Sequence, residues 1–383
     1  MSAAKKTTLA AAIVAAALGL AACSSDTPAA TSSSSSSAAS TMSSTSSTGS
    51  MAAPSSSAGS ESASSSVATA SSGSAAFATS DANMAAGSGE GKKIVYVPGL
   101  TGVPFYSSVS CGAASEAAKL GAEFVTQGDP TFAVDKQTAI VSALIADKPD
   151  AIMISITDPE AMIGPLQEAK DAGIQVIGID GDLTDESVMG TNIQSDNIIG
   201  GQMAADALAA AIGPDGGEVL ILNNATGSLI GDARVKGFED QLAAKYPNIK
   251  SLGQQYSANA ADKAAGIVSA AAGSNPNLKG IYGITTNNTQ GAITGLAEAG
   301  RTGDVKLVGY DTSDPIIEGL RAGAVDGLVV QYPYGEGILG VQSAIKLMNG
   351  ESVDRLQTTP FIIATKDNVD DPTVQQYIYK VDC

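Results

Sequence analysis

The globular part of this 383-residue chain predicts an α/β fold with parallel sheets. Two features carry that reading: short β-branched runs alternate with Ala-rich stretches of helical length, and several of the runs are apolar almost throughout. Strands covered by helices on both faces lose the in-and-out alternation of a half-exposed sheet, so continuous apolar runs point to parallel pairing. In order, strands are expected at 93–98, 122–127, 150–156, 175–180, 189–193, 218–223, 280–285, 306–310 and 327–331. Helices at 107–120, 133–146, 160–172, 198–212, 230–245 and 261–272 occupy the intervals, most of them ended by Gly or opened by a capping residue. The stretch from Lys92 to Cys383, about 290 residues, is near the size at which one core stops growing and a chain divides. Two lobes are expected.

Ahead of the lobes, Lys5 and Lys6 precede an apolar run over 9–20 that is too short to span a bilayer, which marks 1–22 as a signal peptide. Leu20-Ala21-Ala22-Cys23 resembles the bacterial lipobox, and that resemblance implies diacylation of Cys23 with cleavage before it. Lipid chains would hold the mature amino terminus at the outer face of the cell membrane, making the protein extracytoplasmic. Residues 23–91 lack lysine and arginine, and about two-fifths of them are serine, so they offer almost nothing to bury. They read as a disordered tether with a span of about 45 Å.

The formal charge of −18 repels nucleic acid and anionic headgroups, so contact with the membrane is expected only through the lipid anchor. The expected partners are a small molecule and another protein. The chain has no histidine, which excludes Ser-His-Asp and Cys-His catalysis and histidine-bearing zinc sites. With Cys23 acylated, Cys111 and Cys383 are too few for a cysteine-only metal site, and no metal or cofactor is expected. In an oxidising compartment the two suggest one disulfide; two buried thiols are the alternative. The first strand's loop offers neither G-x-G-x-x-G nor a P-loop lysine, which argues against a nucleotide enzyme.

Ligands of open α/β sheets sit beyond the carboxyl ends of the strands, and here those positions are polar. The first strand leads to Pro104-Phe105-Tyr106, the fourth to Asp180-Gly181-Asp182, the sixth to Asn223-Asn224, the seventh to Thr285-Thr286-Asn287-Asn288, the eighth to Asp311-Thr312 and the ninth to Gln331-Tyr332. Carboxylates, amides and aromatic rings in such places suit a polyol. Each has a plainer reading too. Phe105 and Tyr106 could be core, and Gln331 could secure backbone. Asp311 could cap a helix, although Asp314-Pro315 supplies a better start. Asp158, directly before Pro159, reads as a cap.

The pattern resembles the type I, ribose/galactose-type, periplasmic solute-binding proteins of ABC importers, relatives of the LacI-type ligand-binding region. Pro104-Phe105-Tyr106, Ile179-Asp180, Ser195-Asp196-Asn197 with Gly200-Gly201, Gly237-Phe238, Val308-Gly309-Tyr310-Asp311 and Gln331 carry it, in that order and spacing. The resemblance implies two Rossmann-like lobes, 92–195 with 332–360 and 196–331 with 361–383, joined by a three-crossover hinge and closing on a ligand. It also implies that Phe105 and Tyr106 stack on a sugar ring and that Asp180, Asp311 and Gln331 contact it.

Departures from the family pattern are Val103 for an Asn, Gly181 for an Arg, and Asp232 for an Arg with Arg234 two residues on; Asn287 stands in a Thr-Thr-Asn-Asn element that replaces Asn-Asp. These changes leave an acidic, amide-rich cleft suited to a neutral sugar or polyol, with a cation as second choice. The expected site is therefore Phe105, Tyr106, Asp180, Asp182, Asp232, Arg234, Asn287, Asp311 and Gln331. The expected protein is a monomeric, non-enzymatic receptor that delivers its solute to ABC permease subunits. Two other classes stand beside it: a sensor presenting ligand to a receptor kinase or chemoreceptor, and a glycosidase using Asp180 and Asp182 as paired carboxylates. A tail from Lys366 is expected to pack back and join Cys383 to Cys111 near the cleft.

Overall fold

The computed structural model describes residues 84–383; the leader, Cys23 and most of the serine-rich segment lie outside them. The last turn of the expected tether belongs to the folded body. The amide of Gly89 donates to the Leu120 carbonyl at 2.9 Å, because the glycine lets the chain run close under the end of the first helix.

The first sheet is built from β1 (Lys93–Val97), β2 (Glu123–Thr126), β3 (Ala151–Ile154), β4 (Gln175–Ile179) and β5 (Thr191–Ser195). Helices α1 (Pro104–Leu120), α2 (Val134–Asp147) and α3 (Ile163–Asp171) alternate with them. The second sheet holds β6 (Gly217–Asn223), β7 (Ile249–Tyr256), β8 (Leu278–Gly283), β9 (Lys306–Tyr310) and β10 (Gly327–Val330). Its helices are α4 (Asn197–Ile212), α5 (Leu229–Lys245), α6 (Ala261–Ser274), α7 (Thr286–Glu298) and α8 (Asp314–Ala322). Then α9 (Pro333–Met348) and β11 (Leu356–Thr359) return to the first sheet, β12 (Ile362–Ala364) joins the second, and a short α10 (Pro372–Gln375) follows.

The strand orders are β11-β5-β4-β3-β1-β2 and β12-β10-β9-β8-β6-β7. Every pairing is parallel except β10 with β12. Both sheets are thus doubly wound and reverse their order beside their first strand, where such folds open a crevice. The chain passes between sheets after Ser195, after Val330 and after Thr359.

The nine anticipated strands are present, but β7, β11 and β12 were not anticipated. All three are edge strands. The burial of β7 alternates and its residues are mostly polar, so it lacks the continuous apolar signature of β3, which is buried throughout. Asp158 accepts from the amides of Glu160 and Ala161 at 2.9 and 2.7 Å, closing the turn before α3. The start of α8 lies one residue earlier than expected: Ser313 is the cap position, with Asp314 in the first turn.

Glycine sets how closely the helices approach. A Cβ on Gly112 of α1 would overlap the Tyr334 carbonyl of α9, and one on Gly337 of α9 would overlap the Val109 carbonyl of α1. Gly201 and Gly237 stand in the same reciprocal relation for α4 and α5. Both pairs touch backbone to backbone, which fixes α5 and α9 tightly enough to aim side chains such as Arg234 and Glu336. Gly112→Ala is expected to cost about 1–3 kcal/mol by overpacking. Gly266→Ala, on an open face of α6, should stabilise by about 0.5–1 kcal/mol. Urea unfolding of the two variants checks both signs.

Candidate functional site

Arg234 is the buried centre of the polar groups. It sits on α5, and its side chain is 3% exposed. A guanidinium out of water needs acceptors. Nε donates to Asn197 Oδ1 at 2.8 Å, Nη1 to the Ile284 carbonyl at 2.7 Å and Nη2 to Gln331 Oε1 at 3.1 Å. Its Cζ lies 3.9 Å from the centroid of the Tyr310 ring. Asp232 does replace a potential arginine, but Arg234, one of the expected site residues, brings a guanidinium to the middle of the acidic, amide-rich set.

Gln331 passes the arrangement on. With Oε1 accepting from Arg234, its Nε2 donates to Asp311 Oδ1 at 2.7 Å. Donor and acceptor neighbours therefore fix which way the amide points. Asp311 follows β9 in a left-handed conformation, φ 68°, that turns its carboxylate inward. Its Oδ2 accepts from the amide and hydroxyl of Thr286 at 3.2 and 2.8 Å, and its Oδ1 also accepts from the Tyr379 hydroxyl at 2.6 Å. Asp311 thus does not cap α8; its partners come from the start of α7, the end of β10 and the tail.

Asp180, at the end of β4, is the first sheet's contribution. Its φ of 52° is likewise left-handed. Burial pushes its carboxyl up to about 7, against the pull of Arg234 and with the repulsion of Asp311 added. The carboxyl ends of the two sheets therefore face one another closely enough for charges on one to bias the other. Asp180 Oδ1 is buried and has no hydrogen-bond partner among the described residues. Tyr106 stands in the same field: burial first, then Asp180 and Asp311, raise its phenol above the usual value. Phe105 is buried, 5% exposed, and meets Tyr106 edge to face with centroids 5.4 Å apart.

Three expected residues are placed otherwise. Asp182 is taken by Arg355, whose Nη2 reaches its Oδ1 at 2.7 Å, and by the Leu183 amide at 2.9 Å. It anchors the loop after β4 to the segment before β11, and it is not partnered with Asp180 as an acid/base pair. Asp232 is exposed, with a long contact of 3.4 Å from Asn223 Nδ2. Asn287 is half-buried and donates to the Asn259 carbonyl at 2.8 Å. Within that element it is Thr286 that reaches Asp311. Cys111 and Cys383 are joined, with their Cα atoms 5.5 Å apart.

Sequence reasoning missed Glu336 and Tyr379. Glu336, fully buried in the first turn of α9, accepts from Ser195 and Thr359 at 3.2 and 3.1 Å, so it ties together three passages between the sheets. Burial, with Asp180 adding, pushes its carboxyl well above the usual range. A glutamate in a first turn after proline carries the ordinary signal of an exposed helix start, so nothing local marks it.

The raised acid of Asp180 has a definite sign. The folded protein keeps a proton that the unfolded chain releases, so its contribution to stability is present at low pH and is lost as pH rises through about 7. Asp180→Asn removes that loss. Its melting temperature relative to the wild type should rise between about pH 5 and about pH 8 in ligand-free calorimetry. A flat or falling difference would contradict the assignment.

A family model described as periplasmic binding protein domain matches residues 94–352. The ribose import binding protein of Escherichia coli (strain K12) is 29% identical over 253 residues, 65% of this chain and 82% of its own length. Among solved structures, an ABC transporter solute binding protein from Agrobacterium vitis bound with α-D-tagatopyranose is 36% identical. Its TM-score is 0.72, and the match covers 76% of this chain and 99% of that one. A carbohydrate transporter solute binding protein from Agrobacterium radiobacter, in complex with D-arabinose, is 32% identical with a TM-score of 0.71, covering 75% and 98%.

Proposed function

The chain belongs to the type I periplasmic binding protein family, and on that premise we propose that it captures a sugar or sugar-like polyol outside the cytoplasm for an ABC importer. The observation that carries the reading is the meeting of Asp180 from one sheet with Arg234, Asp311 and Gln331 from the other, beside Tyr106 and Phe105. Hydroxyl groups need paired donors and acceptors at fixed angles, and this set supplies both. Relatives that hold tagatose and arabinose support the ligand class.

In this reading the lobes, 92–195 with 332–360 and 196–331 with 361–383, close on the ligand about the three passages, and Phe105 and Tyr106 wall the ring. Lipidated Cys23 and the serine-rich segment hold the monomeric receptor near its permease. The protein binds without turning its ligand over. The engagement of Asp182 by Arg355 supports this, because it removes the partner with which Asp180 could act on a glycoside. Arg234 makes a cation the poorer occupant and a neutral polyol the better one.

Capture at micromolar strength corresponds to about −8 kcal/mol. Hydrogen bonds to charged groups contribute about 1.5–3 kcal/mol each, so three supply roughly 5–9 kcal/mol, and a stacked face must add to them because ordering the lobes and the ligand opposes closure. Thermal unfolding of the full chain with pentoses, hexoses, ketohexoses and polyols tests this. A ligand at a hundredfold excess over its Kd should stabilise by about 2.7 kcal/mol, and Asp311→Ala should reduce the shift. A response to amines but to no sugar would reassign the ligand class.

A further inference from the structure

The tail does more than close a disulfide. From β12 on the second sheet the chain runs through α10 and passes back toward α1. On the way it places Tyr379, 8% exposed, at the carboxyl ends of both sheets' strands. The backbone there is pinned from both sides. The Tyr379 amide donates to Thr312 Oγ1 at 3.0 Å, just beyond β9, and the Lys380 amide donates to Ser108 Oγ at 3.3 Å, on α1. Lys380 Nζ sits over the Tyr334 ring at 4.0 Å, and Cys383 is bonded to Cys111. The Tyr379 ring meets Phe105 edge to face with centroids 6.0 Å apart.

The acceptor count on Asp311 gives this placement a consequence. A carboxylate presents about four lone-pair positions. Gln331 and Tyr379 occupy Oδ1, and the amide and hydroxyl of Thr286 occupy Oδ2. A ligand hydroxyl can reach Asp311 only by displacing a donor. Three of the four donors are fixed at the strand ends of the second sheet or tied to Arg234; the fourth is the phenol. A phenol that gives its one O–H to a carboxylate keeps its oxygen lone pairs for another donor, and it is held in line by a short charge-assisted bond.

We propose that Tyr379 is a specificity-determining residue of the ligand site, supplied by the carboxyl-terminal tail, and that its phenol oxygen meets a ligand hydroxyl where the Asp311 carboxylate would otherwise do so. Asp311 then acts as the positioning residue that orients the phenol, and the disulfide holds the tail in place. The proposal rests on the sugar-binding reading above. It moves one determinant of ligand choice from the strand ends to the tail that follows β12, the chain's last strand.

Isothermal titration of the full chain with D-ribose, D-arabinose, D-tagatose, D-fructose and xylitol tests it, on wild type, Tyr379→Phe, Asp311→Ala and the double variant. Tyr379→Phe keeps the ring against Phe105 and the disulfide, so the fold is retained. It should weaken the best-bound sugar roughly tenfold and shrink the affinity ratio between the members of an epimer pair, D-ribose with D-arabinose or D-tagatose with D-fructose. A residue that served only to pack the tail would leave that ratio alone. The double variant should bind no more weakly than Asp311→Ala, because the carboxylate acts through the phenol. Unchanged affinity and ratio in Tyr379→Phe, additive losses, or tighter binding would each overturn the proposal, the last by showing that the phenol competes with ligand for Asp311. Failure of the wild type to bind any of the five would instead overturn the sugar reading, and this inference with it.

Discussion

Burying a guanidinium without acceptors is so unfavourable that the position of Arg234 constrains everything around it. Its three mapped donors go to Asn197 at the start of α4, to the carbonyl of Ile284 after β8 and to Gln331 after β10, three points where the chain leaves or enters the second sheet. Through Gln331 it fixes the amide that holds Asp311, and across the gap between sheets it moderates the carboxyl of Asp180. Removing the cation would leave two inward-facing acids without a counter-charge. One side chain therefore joins the integrity of the second sheet's strand ends to the electrostatics of the site.

That geometry depends in turn on the helices being close. Gly201 and Gly237 let α4 and α5 touch along their backbones, which brings Arg234 within reach of Asn197. Gly112 and Gly337 do the same for α1 and α9, and α9 carries Glu336 into contact with Ser195 and Thr359. Small residues at helix contacts and the charged residues those helices carry thus act together: the former set the distance at which the latter can work. Two acids with raised pKa values, Asp180 and Glu336, lie along this path, as expected where burial outruns charge compensation.

The tail adds a covalent link to three passages of backbone. Without it the second sheet's strand ends would face the first with Asp311 open on one side. With it, Tyr379 fills that side, and Cys383 fastens the tail to the helix that also carries Phe105 and Tyr106. The result is an aromatic wall drawn from both ends of the folded body.

By itself the sequence determined the class of fold, most of the strands, and the placing of Asp180, Asp311 and Gln331 just past apolar runs. Those features are local, since a buried parallel strand and the polar residue that ends it lie within a few positions of each other. It did not reveal the edge strands β7, β11 and β12, whose alternating or mixed residues resemble loops until a neighbour supplies hydrogen bonds. The uses of side chains at long range were equally hidden. Asp182 looked like a ligand group until Arg355, far along the chain, claimed it; Thr286 looked no different from Asn287; Glu336 looked like a surface acid. Only the tertiary structure decided these, because a polar group's role depends on which partner the packing of two separate sheets brings within about 3 Å, and no local pattern records that distance.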